Sequence, residues 1–326
     1  MHGRMMRTLF VVSVFLLFAS GVGGAAPVEV RTNYAAVSGA FAPIFLAQDE
    51  GLYAKYGLKT DLKYIQSTTA VQTWLAGDLD IVNTSNELVN SRLGGADVVY
   101  ISGLVNRFVF SLYSKPGIAK ISDLKGKTVG ATQPDAVSEV AALVVIKEGG
   151  LNPRRDVKMA YMRGIPEILT ALSQGVIDAG TISPPTTLKA RQMGLKELVN
   201  ITAKNIPMIH TGIGATRAFL KEHPETAKNY LKGLLAGIKM ARTDPEKTKQ
   251  VIGKYTRTTD KEVLDETYDT FVQSWEKIPY ISTTAIKTLL EFSTNPAAKS
   301  AKAEEFFDNS YLKEIERSGF IEQLYR

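Results

Sequence analysis

Several serines and threonines stand where a predicted strand gives way to a predicted helix, a position from which a hydroxyl can donate to a bound ligand. Ser38 and Ser138 lie 100 residues apart at matching places of this kind, and Thr68 and Thr69 stand at another helix start. Backbone N–H groups at a helix N-terminus are free to bind a ligand, and an adjacent hydroxyl adds a donor. We therefore expect ligand contacts from all four residues, with helix capping as the alternative at each.

Polar residues also follow two predicted buried strands. Ser85 and Asn86 come after the strand predicted at residues 79–82, and Ser183 and Pro184 come after its counterpart in the second half of the chain. In open α/β sheets ligands bind outside the carboxyl ends of the strands, although such residues also form turns without any ligand. We expect ligand contact from these residues, most of all from Ser85 and Ser183.

Three ionisable residues complete the predicted site. Asp135 lies in the loop before Ser138, where a carboxylate would repel an anionic ligand unless it is paired or faces solvent. Arg163 ends a predicted strand and can pair with an anion or with Asp135, or lie at the surface as an ordinary solvated arginine. His210 either donates to the ligand or packs at the edge of a hinge.

Catalytic and metal chemistry find little support in the sequence. The chain has no cysteine and three histidines, which are far apart, so thiol nucleophiles, iron–sulfur clusters and a histidine-based metal site are not expected. Asp80 and Asp178 could suggest paired carboxylates for acid–base catalysis, but each follows a Gly-x-x in the same predicted turn, so we expect them to brace that turn. We predict a non-catalytic protein without metal or cofactor.

Composition and the N-terminus predict an exported globular protein. The 326 residues carry a formal net charge of +6, too mild a surplus to predict nucleic-acid binding. Two arginines precede the apolar run 9–18 and a stretch of small residues, the pattern of a cleavable signal peptide over residues 1–26. The apolar run is shorter than the roughly 20 residues of a membrane span, so we expect a monomeric periplasmic protein with no membrane span in its mature form.

The mature chain repeats one strand–helix plan. Val37-Ser38 and Val137-Ser138 match, as do Gly77-x-x-Asp80 and Gly175-x-x-Asp178, in the same order at nearly constant offset. The pattern predicts two α/β lobes, each a mostly parallel sheet flanked by helices, that face each other across one cleft. We assign residues 27–112 and 212–326 to lobe 1 and residues 113–211 to lobe 2. Two connections, at 108–114 and 209–215, should form the hinge, and the helical C-terminal region should pack on lobe 1.

Five sequence runs resemble the solute-binding proteins of nitrate, sulfonate and taurine ABC importers, a family related to NMT1/THI5 that includes thiamine-pyrimidine binding proteins. They cover residues 40–58, 76–80, 123–130, 171–179 and 318–321. The resemblance implies a two-lobe periplasmic-binding-protein fold of type II that closes on a small solute. It also implies an ABC permease and its ATPase subunit as partners.

The ligand and two alternative functions stay open at this point. The predicted donors suit a sulfonate, a nitrate- or bicarbonate-like anion, or a neutral thiamine-pyrimidine-like compound, and Asp135 favours a ligand with a donor or a positive group. One alternative is an enzyme on the same fold, such as a thiamine-pyrimidine synthase or a lyase of menaquinone synthesis. The chain lacks the cysteine-rich motif of the former. The other alternative is a ligand-sensing subunit of a signalling receptor.

Overall fold

The computed structural model describes residues 26–326, so the predicted signal peptide lies outside the described residues except for Ala26. Residues 26–326 form ten strands, most of them separated by helices. The strands are β1 (Val28–Tyr34), β2 (Leu58–Tyr64), β3 (Val82–Thr84), β4 (Val98–Arg107), β5 (Ser111–Ser114), β6 (Thr128–Ala131), β7 (Lys158–Tyr161), β8 (Ala179–Ile182), β9 (Lys196–Asn200) and β10 (Pro207–Thr216).

The α-helices of this part of the chain fill the intervals and then dominate after β10. They are α1 (Ala42–Asp49), α2 (Ser67–Leu75), α3 (Asn86–Leu93), α4 (Val137–Glu148), α5 (Ile165–Ser173), α6 (Thr186–Gln192), α7 (Arg217–Glu222), α8 (Pro224–Thr243), α9 (Pro245–Thr256), α10 (Lys261–Val272), α11 (Thr283–Phe292), α12 (Ser310–Arg317) and α13 (Phe320–Leu324).

The two lobes share one strand order. In lobe 2 the order is β7-β6-β8-β5-β9, with β6 parallel to β7 and β8 and with β5 antiparallel to both neighbours. In lobe 1, β1 is parallel to β2, and β10 runs antiparallel between β3 and β4. The Asn33 side chain joins β1 to β3, because its Oδ1 accepts from the Asn83 amide at 2.8 Å and its Nδ2 donates to the Asn83 carbonyl at 3.1 Å. Lobe 1 thus has the order β2-β1-β3-β10-β4, and the repeated plan is present.

Two aspartates occupy equivalent places in the two lobes and brace the turn that leads into β3 and β8. Asp80 Oδ2 accepts from the Arg31 amide on β1 at 2.7 Å, and Asp178 Oδ2 accepts from the Thr128 amide on β6 at 2.9 Å. Each aspartate amide donates back to the same partner's carbonyl at 2.9 Å. Both carboxylates therefore brace the turn before the strand, as expected from the sequence.

The chain crosses between the lobes twice, and the return crossing comes earlier than predicted. The outward crossing is the three-residue segment 108–110 between β4 and β5. The return crossing is 201–206, because β10 already pairs with lobe 1 where Pro207 lies opposite Arg107. Residues 209–215, which the sequence suggested as the second connection, are strand residues of the lobe 1 sheet.

The C-terminal helices pack mainly on lobe 1, but one of them also reaches lobe 2. Helices α8 and α9 lie against α1, in a core that includes Phe45, Tyr230 and Trp275. Helix α11 packs on β10 and on α4, and its Leu289 shares a second core with Val140 of lobe 2. This helix therefore contacts both lobes. Within residues 26–326 no helix is both long and apolar enough to cross a bilayer.

Helix starts differ from the sequence expectation in detail. Helix α2 begins at Ser67, so Thr68 and Thr69 lie in its first turn, and no side chain of residues 26–326 caps it. Asp244 and Asp260 cap α9 and α10. Their carboxylates accept hydrogen bonds from amides of the first turn, where a negative charge also interacts favourably with the helix dipole.

Candidate functional site

A cavity of about 500 Å³ lies between the two lobes, in the size range of small-ligand pockets. It sits at the carboxyl ends of the strands, where the loops after β1, β3, β6, β7 and β8 converge. Both lobes supply polar groups, and Phe41, Tyr64, Phe110 and Ile165 supply apolar surface. A mixed lining of this kind can bury a small molecule and orient it with a few hydrogen bonds.

Most of the residues predicted from the sequence line this cavity. They are Ser38, Ser85 and His210 from lobe 1, and Ser138, Arg163, Ser183 and Pro184 from lobe 2. The equivalent serines of the repeat thus face one space from opposite sides. This arrangement follows from the shared strand order, which places the same loop of each lobe at the cleft.

The lining serines also hold the loops that carry them. Ser38 Oγ accepts from the Ala40 amide at 3.3 Å and caps a short 3-10 helix, as expected. Ser138 lies inside α4 and instead accepts from the Thr132 amide at 2.9 Å. Its Oγ also forms a hydrogen bond with Thr132 Oγ1 at 2.8 Å, in which either hydroxyl can be the donor. Ser85 Oγ donates to the Ile209 carbonyl at 2.5 Å, so its proton is already used. A hydroxyl that only accepts still has a proton for a ligand, which favours Ser38 over Ser85 as a donor.

Thr68, Asn86 and Asp135 lie outside the cavity lining and join the lobes instead. Thr68 Oγ1 donates to Gln133 Oε1 at 2.8 Å, and Asn86 Nδ2 donates to the Asp135 carbonyl at 2.7 Å. Asp135 has a left-handed backbone (φ 58°), and its Oδ2 accepts from Thr294 Oγ1 at 3.0 Å. These bonds tie the loop before α4 to lobe 1 and to the C-terminal region.

Thr69 is the predicted site residue that takes part in neither arrangement. It is exposed on α2 and away from the cavity lining, and its carbonyl accepts from the Thr73 hydroxyl at 2.9 Å. One position along a helix rotates a side chain by about 100°, so two adjacent threonines cannot both face the cleft.

Glu87 is a site residue that our sequence analysis missed. It lies in the first turn of α3 and lines the cavity. Its Oε2 accepts from Thr84 Oγ1 at 3.0 Å and from the Ser85 amide at 3.2 Å. Burial raises the pKa of Glu87, although hydrogen bonds from its own amide, Thr84, Ser85 and Ser67 oppose the rise. The capping-box spacing Thr84-x-x-Glu87 could have revealed it.

His210 presents an unsatisfied polar atom at the site. Its Nδ1 is buried without a hydrogen-bond partner among the residues that the structure describes, and its ring lies 5.0 Å from that of Phe110 between centroids. Burial lowers the pKa of His210 to about 4. The imidazole is therefore neutral near pH 7 and can both donate and accept a hydrogen bond.

Arg163 and Glu167 place opposite charges at the mouth of the cavity. Both side chains line the cavity and both residues are exposed. The Arg163 carbonyl accepts from Gln66 Nε2 of lobe 1 at 3.4 Å, so the loop after β7 touches the opposite lobe. Arg163 contacts neither Asp135 nor any other carboxylate through an ion pair within residues 26–326. Its guanidinium is thus available to a ligand.

The comparisons with known proteins agree with this architecture. The family model described as NMT1/THI5 like matches residues 38–248. The riboflavin-binding protein RibY of Chloroflexus aurantiacus is 23% identical over 212 residues, which span 63% of this chain and 60% of RibY. A Brachyspira hyodysenteriae protein, named as an ABC transporter periplasmic binding protein, is 25% identical over 76% of this chain and 74% of its own.

Solved structures show the same fold. The alkanesulfonate-binding protein SsuA of Xanthomonas axonopodis pv. citri, bound to MOPS, superposes with a TM-score of 0.69 at 17% identity, over 82% of this chain and 92% of that one. The two-lobe periplasmic-binding-protein fold predicted from the sequence is confirmed.

Proposed function

Because the chain belongs to the NMT1/THI5-like family, we propose that it is the extracytoplasmic solute-binding component of an ABC importer. It would capture a small solute in the interlobe cavity by hinge closure and deliver it to a membrane permease powered by a separate ATPase. The observation that carries the proposal is the cavity itself, which both lobes line with polar and aromatic groups and which interlobe hydrogen bonds enclose.

Closure of the two lobes would strengthen ligand binding and would let the permease recognise the loaded protein. A ligand between the lobes exchanges water for fixed hydroxyl, amide and imidazole groups, and in a medium of lower dielectric these contacts are stronger. The closed form buries the ligand and presents both lobes to the permease in one fixed relation, which favours recognition of the loaded state. We expect a dissociation constant of the order of 1 µM, about 8 kcal/mol, since the solute must later be released.

We assign two roles to the predicted residues. Ser38, Ser138, Ser183, Arg163 and His210 would contact the solute, with Ser85 and Pro184 shaping the wall of the cavity. Thr68, Asn86 and Asp135 would stabilise the closed form. Their hydrogen bonds join lobe 1 and the C-terminal region to the loop before α4 of lobe 2. For Thr69 we propose no role in binding.

The ligand classes compatible with the family are a sulfonate, a nitrate- or bicarbonate-like anion and a thiamine-pyrimidine-like heterocycle. The name of RibY adds a flavin to these. We propose binding rather than catalysis, because the names of the relatives and of the solved structure describe binding proteins. We also propose export to the periplasm through cleavage near residue 26.

The test is native mass spectrometry of the mature chain, followed by calorimetry and small-angle scattering with the retained molecule. We expect a small molecule that binds at a 1:1 ratio and reduces the radius of gyration. Ser138→Ala should weaken its binding by about tenfold, the effect of one lost buried hydrogen bond, whereas exposed Ser173→Ala should not. A mature chain that binds none of the four ligand classes and never compacts would contradict the proposal.

A further inference from the structure

Among the helices that begin at or beside the cavity, three carry a glutamate in the first turn. They are Glu87 of α3, Glu139 of α4 and Glu167 of α5. The free amides of a helix start are natural donors to an anionic ligand. In this chain a carboxylate already stands at each of these helix starts.

Glu87 takes up the donors that lobe 1 would otherwise offer. Its Oε2 accepts from the Ser85 amide at 3.2 Å and from the Thr84 hydroxyl at 3.0 Å, and the remaining Ser85 hydroxyl is bonded to Ile209. The carboxylate also lines the cavity. A small anion placed here would lack these donors and would meet a negative group in partly buried surroundings, which costs free energy.

Lobe 2 is arranged in the same way. Glu139 is buried, and its carboxylate accepts from the Asp135 amide at 2.5 Å and from Tyr161 Oη at 2.7 Å. Glu167 Oε2 lies so close to Gly164 that a Cβ added to this N-cap residue would stand 2.7 Å from it. The starts of α3, α4 and α5 are therefore shielded from an incoming anion, whereas α2 and α6 begin at the cavity without an acidic residue in the first turn. The positive group in the lining is Arg163 at the mouth.

The size and chemistry of the cavity favour a ligand other than a small anion. A volume of about 500 Å³ is far more than a four-atom anion fills, and Phe41, Tyr64 and Phe110 supply aromatic surface that suits a flat ring. Inside it, Glu87 adds acceptor oxygens, and the neutral His210 adds Nδ1, which has no hydrogen-bond partner within residues 26–326. A planar heterocycle with N–H or O–H donors would satisfy both residues.

We propose that Glu87 is a specificity-determining residue that excludes small oxyanions and selects a neutral or cationic heterocycle with a hydrogen-bond donor. The inference rests on the proposed solute-binding function and narrows its ligand class. Nitrate and alkanesulfonates would then be poor ligands of this chain.

Titrations of the mature protein with nitrate, ethanesulfonate and 4-amino-5-hydroxymethyl-2-methylpyrimidine, against matched chloride, test the proposal. We expect the wild type to bind neither oxyanion more tightly than 1 mM, of the order expected for a weak nonspecific anion contact. Glu87→Ala frees the Ser85 amide and the Thr84 hydroxyl, so its affinity for nitrate should rise by about tenfold or more. Glu87→Gln removes the charge but keeps a side-chain oxygen at the helix start, so it replaces the alanine variant in the test if that variant does not fold. It should also gain affinity for ethanesulfonate.

Glu225→Ala is the matched control, because Glu225 lies in the first turn of α8 away from the cavity. It should leave oxyanion binding unchanged. The proposal is overturned if the wild type binds either oxyanion more tightly than the pyrimidine, or if neither Glu87 variant gains affinity for an oxyanion. Failure of the transport proposal would look different: no small molecule would compact the wild type, while the gain in the Glu87 variants would still be measurable.

Discussion

The hydroxyl of Thr187 donates to Oε1 of Glu266 at 2.6 Å, joining α6 of lobe 2 to α10 of the C-terminal region. The other carboxylate oxygen of Glu266 accepts from Arg191, one turn further along α6. This pair of bonds spans the lobes at a point distinct from the Thr68–Gln133 contact. The closed arrangement is thus held by side chains on separate elements. A single substitution at one of these contacts should therefore change its stability.

Glu266→Ala should shift the ligand-free protein towards an open form. The substitution removes a hydrogen bond to a buried hydroxyl and a half-exposed ion pair, together about 1–2 kcal/mol of closed-state stability. Small-angle scattering should show a larger radius of gyration for the variant than for the wild type. Glu262→Ala, exposed on the same helix, should leave the radius unchanged, and equal radii for wild type and Glu266→Ala would refute the role.

Asp178→Asn should destabilise the fold by about 1–3 kcal/mol at pH 7, because a charge-assisted hydrogen bond to the Thr128 amide and the ion pair with Lys115 are lost. Burial works to raise the pKa of Asp178, but hydrogen bonds from Lys115 and the Thr128 amide outweigh it and hold the pKa below its ordinary value. The stabilisation is therefore present above the ordinary pKa and is lost as the pH falls through the lowered one.

Urea unfolding of the wild type and of Asp178→Asn at pH 7 and pH 3 measures the difference between their free energies of unfolding. This difference should be smaller at pH 3. Asp61→Asn is a suitable control, since Asp61 forms an exposed ion pair with Lys63 and should contribute less than about 1 kcal/mol. An unchanged wild-type-to-variant difference at the two pH values would show that the Asp178 charge is not what braces the turn.

His210 should make folding stability fall as the medium is acidified. Burial lowers the pKa of His210 to about 4, whereas an unfolded histidine titrates near 6.5. Between these pH values His210 is protonated in the unfolded chain but neutral in the folded chain. The free energy of unfolding therefore decreases as the pH drops from 6.5 to 4, by about 3 kcal/mol in total. Comparison of wild type with His210→Gln across this range isolates the effect; parallel curves would contradict it.

Gly237→Ala should destabilise the packing of α8 on α1. A Cβ at Gly237 would stand 2.1 Å from the carbonyl oxygen of Pro43, a backbone atom that cannot swing away. Alanine favours a helix over glycine by about 1 kcal/mol, but overpacking of this kind costs about 1–3 kcal/mol, so we expect a net loss. Thermal unfolding would measure it, with Lys239→Ala on the same helix as the control. A variant as stable as the wild type would mean that α8 shifts freely.

Short-range patterns in the sequence determined a large part of this fold. Pro43 stands in the first turn of α1, and Gly319, whose backbone is left-handed (φ 76°), separates α12 from α13. The two Gly-x-x-Asp turns lead to the same carboxylate-to-amide bond in each lobe. These features depend on hydrophobic periodicity, caps and turn residues, whose physical causes act within a few residues along the chain.

For several polar side chains near the cavity, only the tertiary structure decided the role. Ser85 gives its proton to Ile209, which is 124 residues away, and Asn86 bonds to the loop at Asp135 rather than to the cavity. Glu87 lines a cavity only because lobe 2 lies opposite it in the folded chain. A hydroxyl or carboxylate has the same local signature whether it caps a helix, joins two lobes or faces a ligand. Which of these it does depends on the groups that the folded chain brings within about 3 Å of it.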